Sequence, residues 1–181
     1  MKEDLYLKKL EENDKDIWLE FWEDSYKTGN MSEERWKYTQ SVNWPGKLFT
    51  LKKNETEKSP LYNYYLVENG KLIGRLVIRL NPELLPIDTH DGSHISYMII
   101  PSKRGQGYGT EMLRLGLEKC KELKQDEVIV SCNVDNIGSS KVIENNCGKL
   151  ICIEPCSVEK GKMSKRYKIK VEEALSKKCL K

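Results

Sequence analysis

GSHISYMIIPSKRGQGYGTEMLRLGLEKCKELK, residues 92–124, reads as a strand, a glycine turn and a helix in immediate succession. Ile95 to Ile100 is β-branched and apolar, the composition of a buried strand. Pro101 ends it, because proline has no N–H to give to a sheet ladder. From about Gly107 the period becomes helical: Gly109, Met112, Leu113, Gly116, Leu117, Cys120 and Leu123 share one face, and Glu111, Arg114, Glu118, Lys121 and Glu122 fall elsewhere. The first turn of such a helix carries unpaired N–H groups and the positive end of the helix dipole, which suits a phosphate. Gly105, Gly107 and Gly109 have no Cβ to keep a phosphate off the backbone, Arg104 adds a charge, and Thr110 offers a hydroxyl.

Two common phosphate loops fail on spacing. A P-loop needs Gly-Lys-Ser/Thr after its second glycine, and Gly107-Tyr108-Gly109 lacks the lysine. A dinucleotide fingerprint needs G-x-G-x-x-G and an acid closing the next strand; here the glycines run G-x-G-x-G, and Asp126 and Glu127 precede that strand. Arg104-Gly105-Gln106-Gly107-Tyr108-Gly109 instead resembles the acetyl-coenzyme A signature R/Q-x-x-G-x-G/A of the GNAT N-acetyltransferases. The resemblance implies that the backbone amides from Gly105 through Gln106, Gly107, Tyr108 and Gly109 to Thr110 hold the coenzyme A pyrophosphate.

The rest of the chain is compatible with one domain over residues 1–181, a length that buries about two-thirds of the unfolded surface in one core. A net charge of +3 is too small to argue for nucleic acid or a polyanionic surface. The six cysteines form no Cys-x-x-Cys pair, and only His90 and His94 are available beside them, so no metal site is expected. With no apolar run for a signal peptide or membrane span, reduced thiols in the cytoplasm are expected.

Leu5, Leu7 and Leu10 suggest a short first strand. Asp14 resembles a helix cap before the stripe Ile17, Trp18, Phe21, Trp22, Ser25 and Tyr26; Ser32 caps a second helix to Asn43, and Trp44-Pro45-Gly46 is expected to stop it. Leu61–Val67 and Lys71–Leu80 flank Asn69-Gly70, a strong hairpin signal. Residues 81–92 read as a loop with Glu83, Asp88, His90 and Asp91. Asp126–Cys132 is a strand parallel to Ile95–Ile100, since a helix connects them. Asn136–Asn146 is a short helix, Leu150–Ile153 and Lys165–Val171 are the last strands, and the Lys-rich end is a frayed helix or tail.

That order matches the GNAT fold, an α/β (α+β) architecture. The expectation is a central mixed, mostly antiparallel sheet of about six to seven strands, with about four helices and a splayed parallel pair at the cofactor site. The resemblance further implies that main-chain groups near Met98, Ile99 and Ile100 bond pantetheine and polarise the thioester. Asn136 and Ser139 match N-x-x-A/S-x-x-x-Y, which implies a pantetheine contact, but Ile143 stands where many relatives carry an acid tyrosine. Nothing therefore carries over as general acid. For the base, His94 comes first because its ordinary pKa of about 6.5 is nearest working pH, with Asp91 beside it.

The resemblance implies an N-acetyltransferase moving acetyl from acetyl-coenzyme A to a primary amine. Acids on the first helix and in the loop before the central strand point to a small cationic acceptor. An acyl-coenzyme A binding module without turnover and a protein N-terminal acetyltransferase are the alternatives. A monomer or homodimer is expected, with no nucleic-acid or membrane partner.

Overall fold

The structure, a computed structural model, describes residues 4–55, 57–85 and 92–176. β1 (Tyr6–Lys8) leads to α1 (Lys15–Lys27), α2 (Glu33–Gln40) and α3 (Trp44–Asn54). β2 (Leu61–Glu68) and β3 (Lys71–Arg79) form the hairpin, and β4 (Ile95–Ile99), α4 (Tyr108–Glu122) and β5 (Glu127–Asn133) follow. The chain ends with α5 (Ile137–Glu144), β6 (Lys149–Pro155), β7 (Met163–Lys170) and α6 (Val171–Leu175). One seven-stranded sheet results, in the order β1-β2-β3-β4-β5-β7-β6. Every neighbouring pair is antiparallel except β4 and β5.

The β2–β3 turn places Asn69 at φ 48° and Gly70 at φ 75°, the two positive values that a twisted two-residue hairpin needs. Two glycines set the distance between sheet and α4. A Cβ on Gly116 would lie 2.6 Å from Leu76 Cδ1, and one on Gly74 would lie 2.7 Å from Met112 Sδ. Leu76, Met112, Leu113 and Leu117 are fully buried in that layer, each leucine contributing about 1.5–3 kcal/mol.

The first helices cover the opposite face through aromatic packing. Phe21 meets Tyr65 edge-on at 5.6 Å, Trp18 Nε1 donates to the Tyr65 hydroxyl at 3.2 Å, and Trp18 packs 5.3 Å from Trp44.

Two helices exceed the expected four. Trp44-Pro45-Gly46 does not end a helix but begins α3, because proline in a first turn gives up only an N–H that has no helical partner. α6 forms part of the expected tail and packs on α4. Cys147 is disulfide-bonded, which corrects the expectation of reduced thiols at that position, while Cys120, Cys132, Cys152 and Cys156 are free. Among the described residues no helix is long and apolar enough to cross a membrane, and no cluster of His, Cys, Asp and Glu is placed to hold a metal.

Candidate active site

β4 and β5 are bridged at one residue pair, Ile95 with Val130. His94 forms the clasp beneath it: its N–H donates to Ile129 O at 2.8 Å, and its Nδ1 accepts from the Ile129 N–H at 3.2 Å. Burial pushes the His94 pKa down, with Arg166 adding to the effect and Glu83 opposing it. The ring is therefore held neutral. With Nδ1 occupied as acceptor, the proton of the neutral ring sits on Nε2, so His94 keeps no free lone pair for a base to use.

Above the clasp lies a cleft of about 730 Å³, lined by the end of β4, the glycine loop, α4 and α5. Ile100 N donates to Ile73 O on β3. Because successive residues of a strand aim their backbone groups at opposite edges, Ile99 and Tyr97 present theirs to the cleft. Arg104 Nε, donating to Ile99 O at 3.0 Å, occupies that edge from the cleft side.

At the far end lies the glycine loop. Gly105 and Gly107 have φ of 73° and 83°, and a Cβ on either would meet nothing within 4 Å. Both therefore serve a left-handed backbone beside open space. Gly107 caps α4, so the unpaired N–H groups of the first turn face this opening. Gly109 has a different role: a Cβ there would lie 3.0 Å from Val142 Cγ2, so it lets α4 and α5 approach.

Tyr108 turns inward, buried, with its hydroxyl on Glu68, which also holds Lys103 Nζ at 2.7 Å. These contacts tie the loop to the end of β2. Gln106 Nε2 bonds Ser102 O at 3.1 Å, within the loop.

The α5 side supplies Asn136 and Ser139. Asn136 Oδ1 caps the helix by accepting from the Ser139 N–H at 3.0 Å. Ser139 Oγ lies 2.9 Å from the Tyr97 hydroxyl, which reaches it from β4 across the opening. Burial raises the Tyr97 pKa well above the usual phenol range, although the Ser139 bond counteracts this. Tyr97, Asn136 and Ser139 also line a second cavity of about 230 Å³, so they stand between it and the main cleft.

A family description, acetyltransferase (GNAT) domain, matches residues 4–147. The chain belongs to the GNAT acetyltransferase family. No curated protein sequence matches it, but solved structures share the fold. RimJ of Mycobacterium smegmatis, in complex with CoA-disulfide, is similar with TM-score 0.71 and 18% identity, over 93% of this chain and 83% of that one. A spermidine N-acetyltransferase chimera of Vibrio cholerae SpeG and hSSAT has TM-score 0.64 and 15% identity, over 96% and 99%. The Salmonella typhimurium acetyl transferase that modifies the N-terminal serine of ribosomal protein L7/L12 gives 0.64 and 15%, over 92% and 94%.

Of the positions that the GNAT resemblance marks for the cofactor, Met98, Ile99, Arg104, Gly105, Gly107, Gly109, Thr110, Asn136 and Ser139 line the cleft. Ile100, Gln106 and Tyr108 do not: Ile100 is buried and bonded to β3, and the other two serve the loop itself. Ile143 is fully buried, with Gly148 packed on it, so α5 offers no opening at the position of the usual GNAT tyrosine.

Tyr97, Lys103 and Lys141 line the cleft without having been expected there. The signal for Tyr97 was its shared alternation with Ile95 and Ile99, which places it on the α4 side.

Among the described residues, the acids of the expected cationic acceptor site line neither the cleft nor the cavity beneath α1–α3. Glu23 pairs with Lys27, Glu20 with Lys71, and Asp24 accepts from Ser102 N, all beside the outer flank of the loop. Asp14 is buried against Lys8. Glu83 lines a separate hollow near Arg166, and Asp88 and Asp91 lie outside the described residues.

Proposed function

We propose that the chain transfers acetyl from acetyl-coenzyme A to the primary amine of a small molecule. One observation carries this: an open strand edge and a glycine-capped helix N-terminus share a single cleft, in the sequence a pantetheine followed by a pyrophosphate requires. The cosubstrate supplies an acyl thioester.

The protein's part is positioning and charge. The N–H groups of Ile99 and Tyr97 serve the pantetheine amides and the polarised carbonyl; the first-turn N–H groups of α4, with Lys103, Arg104 and Lys141, serve the phosphates. A C–N bond forms as the C–S bond breaks. Tyr97, kept protonated by burial, gives its proton to the departing sulfur, and the proton lost by nitrogen returns through water to the Tyr97–Ser139 pair.

A small acceptor is favoured by a cavity of about 480 Å³ beneath α1–α3, walled by Trp18 and Trp22. Incubation with acetyl-coenzyme A and a panel of amines and N-terminal peptides, with free thiol as readout, tests the proposal. Amine-dependent thiol release is expected. Coenzyme A binding without thiol release for any acceptor would leave only a binding module.

A further inference from the structure

The cavity beneath α1–α3 carries a charge pattern that acetyl transfer alone does not explain. Arg35, Lys47 and Arg75 line it, and none of its lining residues is Asp or Glu. Among the described residues none of the three has a carboxylate partner, whereas Lys27, Lys37 and Lys53 on the same helices each pair with a glutamate.

Arg75 is the most constrained of the three. It lies mid-strand in β3, an interior strand whose neighbouring residues are buried. Buried Asn63 holds the guanidinium by Nε at 3.3 Å and Nη2 at 2.7 Å through a single oxygen. The remaining donors of a planar, pre-oriented fork are left for another group. Burial lowers the Lys47 pKa and repulsion from Arg75 lowers it further, so the two cations are held close enough to oppose each other. The indole N–H of Trp22, another lining residue, is buried with no acceptor among the described residues. Like charges and an unmet donor around one hollow are costly until an acceptor of hydrogen bonds with negative charge fills it.

The hollow also lies within reach of the chemistry. Arg75 is the register partner of Met98, one strand and about 5 Å away. Ser96, bonded to Arg79, shares that face. A ligand anchored at Arg75 therefore crosses Met98 to reach the open edge of β4.

We infer that this cavity binds an oxyanion on the acceptor itself, so that the amine acetylated belongs to a small molecule that also carries a carboxylate or a phosphate. The inference rests on the transfer proposal for the ligand's identity as acceptor, but not for the anion site.

Two measurements separate them. In the first, ω-amino carboxylic acids, ω-amino phosphate monoesters and the diamines and amino alcohols of equal length compete as acceptors, with thiol release as readout. An acid or phosphate is expected to exceed the diamine in kcat/KM by about tenfold or more, and the better of the two names the oxyanion. Arg75→Gln and Lys47→Gln each raise its KM by about tenfold, and Lys37→Gln, on the outer face of α2, changes nothing. A preference for diamine or alcohol, or equal losses for every acceptor in Arg75→Gln and Lys47→Gln, overturns the inference while leaving transfer intact.

In the second, fluorescence of Trp18 and Trp22 is followed as amine-free glutarate or inorganic phosphate is titrated in the presence of coenzyme A. Saturable change lost in Arg75→Gln is expected. Saturation without any acetyl transfer would retain the anion site and remove the transfer proposal; absence of saturation counts against the site itself.

Discussion

Tyr97 and Ile143 stand in contrasting surroundings. The phenol at the apex of the cleft comes from strand β4, while the α5 position stands fully buried in the core. If Tyr97 protonates sulfur, Tyr97→Phe lowers kcat by about a hundredfold or more with little change in the acetyl-coenzyme A KM. The deficit narrows above about pH 8.5, where a thiol leaves as thiolate without help. A kcat within about twofold of the parent at neutral pH assigns the phenol to packing. Ile143→Tyr has no room for its ring and is expected to destabilise by about 1–3 kcal/mol in urea unfolding, with no gain in turnover. His94 makes a different prediction, because its pKa is lowered on folding. Below pH 6.5 the unfolded chain binds a proton that the folded chain refuses, so the stability that neutral His94 confers is complete above that value and declines as pH falls through and below it. Asn can present Oδ1 to Ile129 N without titrating, so His94→Asn should flatten the urea midpoint between pH 7 and 5. Parallel pH curves for the two proteins would show that the clasp does not titrate.

Between elements, the glycines decide how close two layers come, and the gaps they leave differ in slack. At Gly116 a Cβ would meet Leu76 Cδ1 at 2.6 Å in a fully buried layer, so Gly116→Ala should lose about 1–3 kcal/mol despite the better helix propensity of alanine. At Gly109 the contact is 3.0 Å to one methyl of Val142 on half-buried α5, and the propensity gain of up to about 1 kcal/mol offsets the crowding. Gly109→Ala is expected to leave stability nearly unchanged while shifting α5, with Asn136 and Ser139, away from the cleft. Titration with coenzyme A then shows weaker binding at an unchanged urea midpoint; full affinity would mean that α5 does not set the cleft's width. The same scale shows what a sequence hides. Asn69-Gly70, the β4–loop–α4 succession and the parallel partner strand were legible because each rests on local periodicity or turn chemistry. α3 was not, since Pro45 breaks a helix interior but sits comfortably in a first turn, and nothing local distinguishes the two. Lys47 was lost with it. Arg75 did leave a trace, as a lone charge among Leu72, Ile73, Leu76 and Val77, but only the third dimension puts it opposite Lys47.

For the whole molecule, the cleft is assembled from β4, the glycine loop, α4 and α5, all of which share the core with β3. A ligand that needs all of these elements binds the folded chain and not the unfolded one, so its affinity adds to the stability of the entire domain. Coenzyme A at about 100 times its Kd should contribute about 2.7 kcal/mol. For a domain of this size that corresponds to roughly 5–11 °C in Tm, expressed as movement of a single transition. Gly107→Asp isolates the cause. Its backbone sits at φ 83°, where an L-residue is strained, yet an aspartate at a helix N-cap is favourable for the unliganded protein, so the apo Tm should fall only slightly. The same carboxylate stands at the opening meant for pyrophosphate and repels it, so the coenzyme-dependent rise in Tm should vanish. Calorimetry of parent and variant, each with and without coenzyme A, supplies the four transitions required. A variant that keeps the full shift would place the phosphates somewhere other than the first turn of α4. A parent whose liganded scan splits into two transitions would show that the cleft and the rest of the sheet do not unfold together.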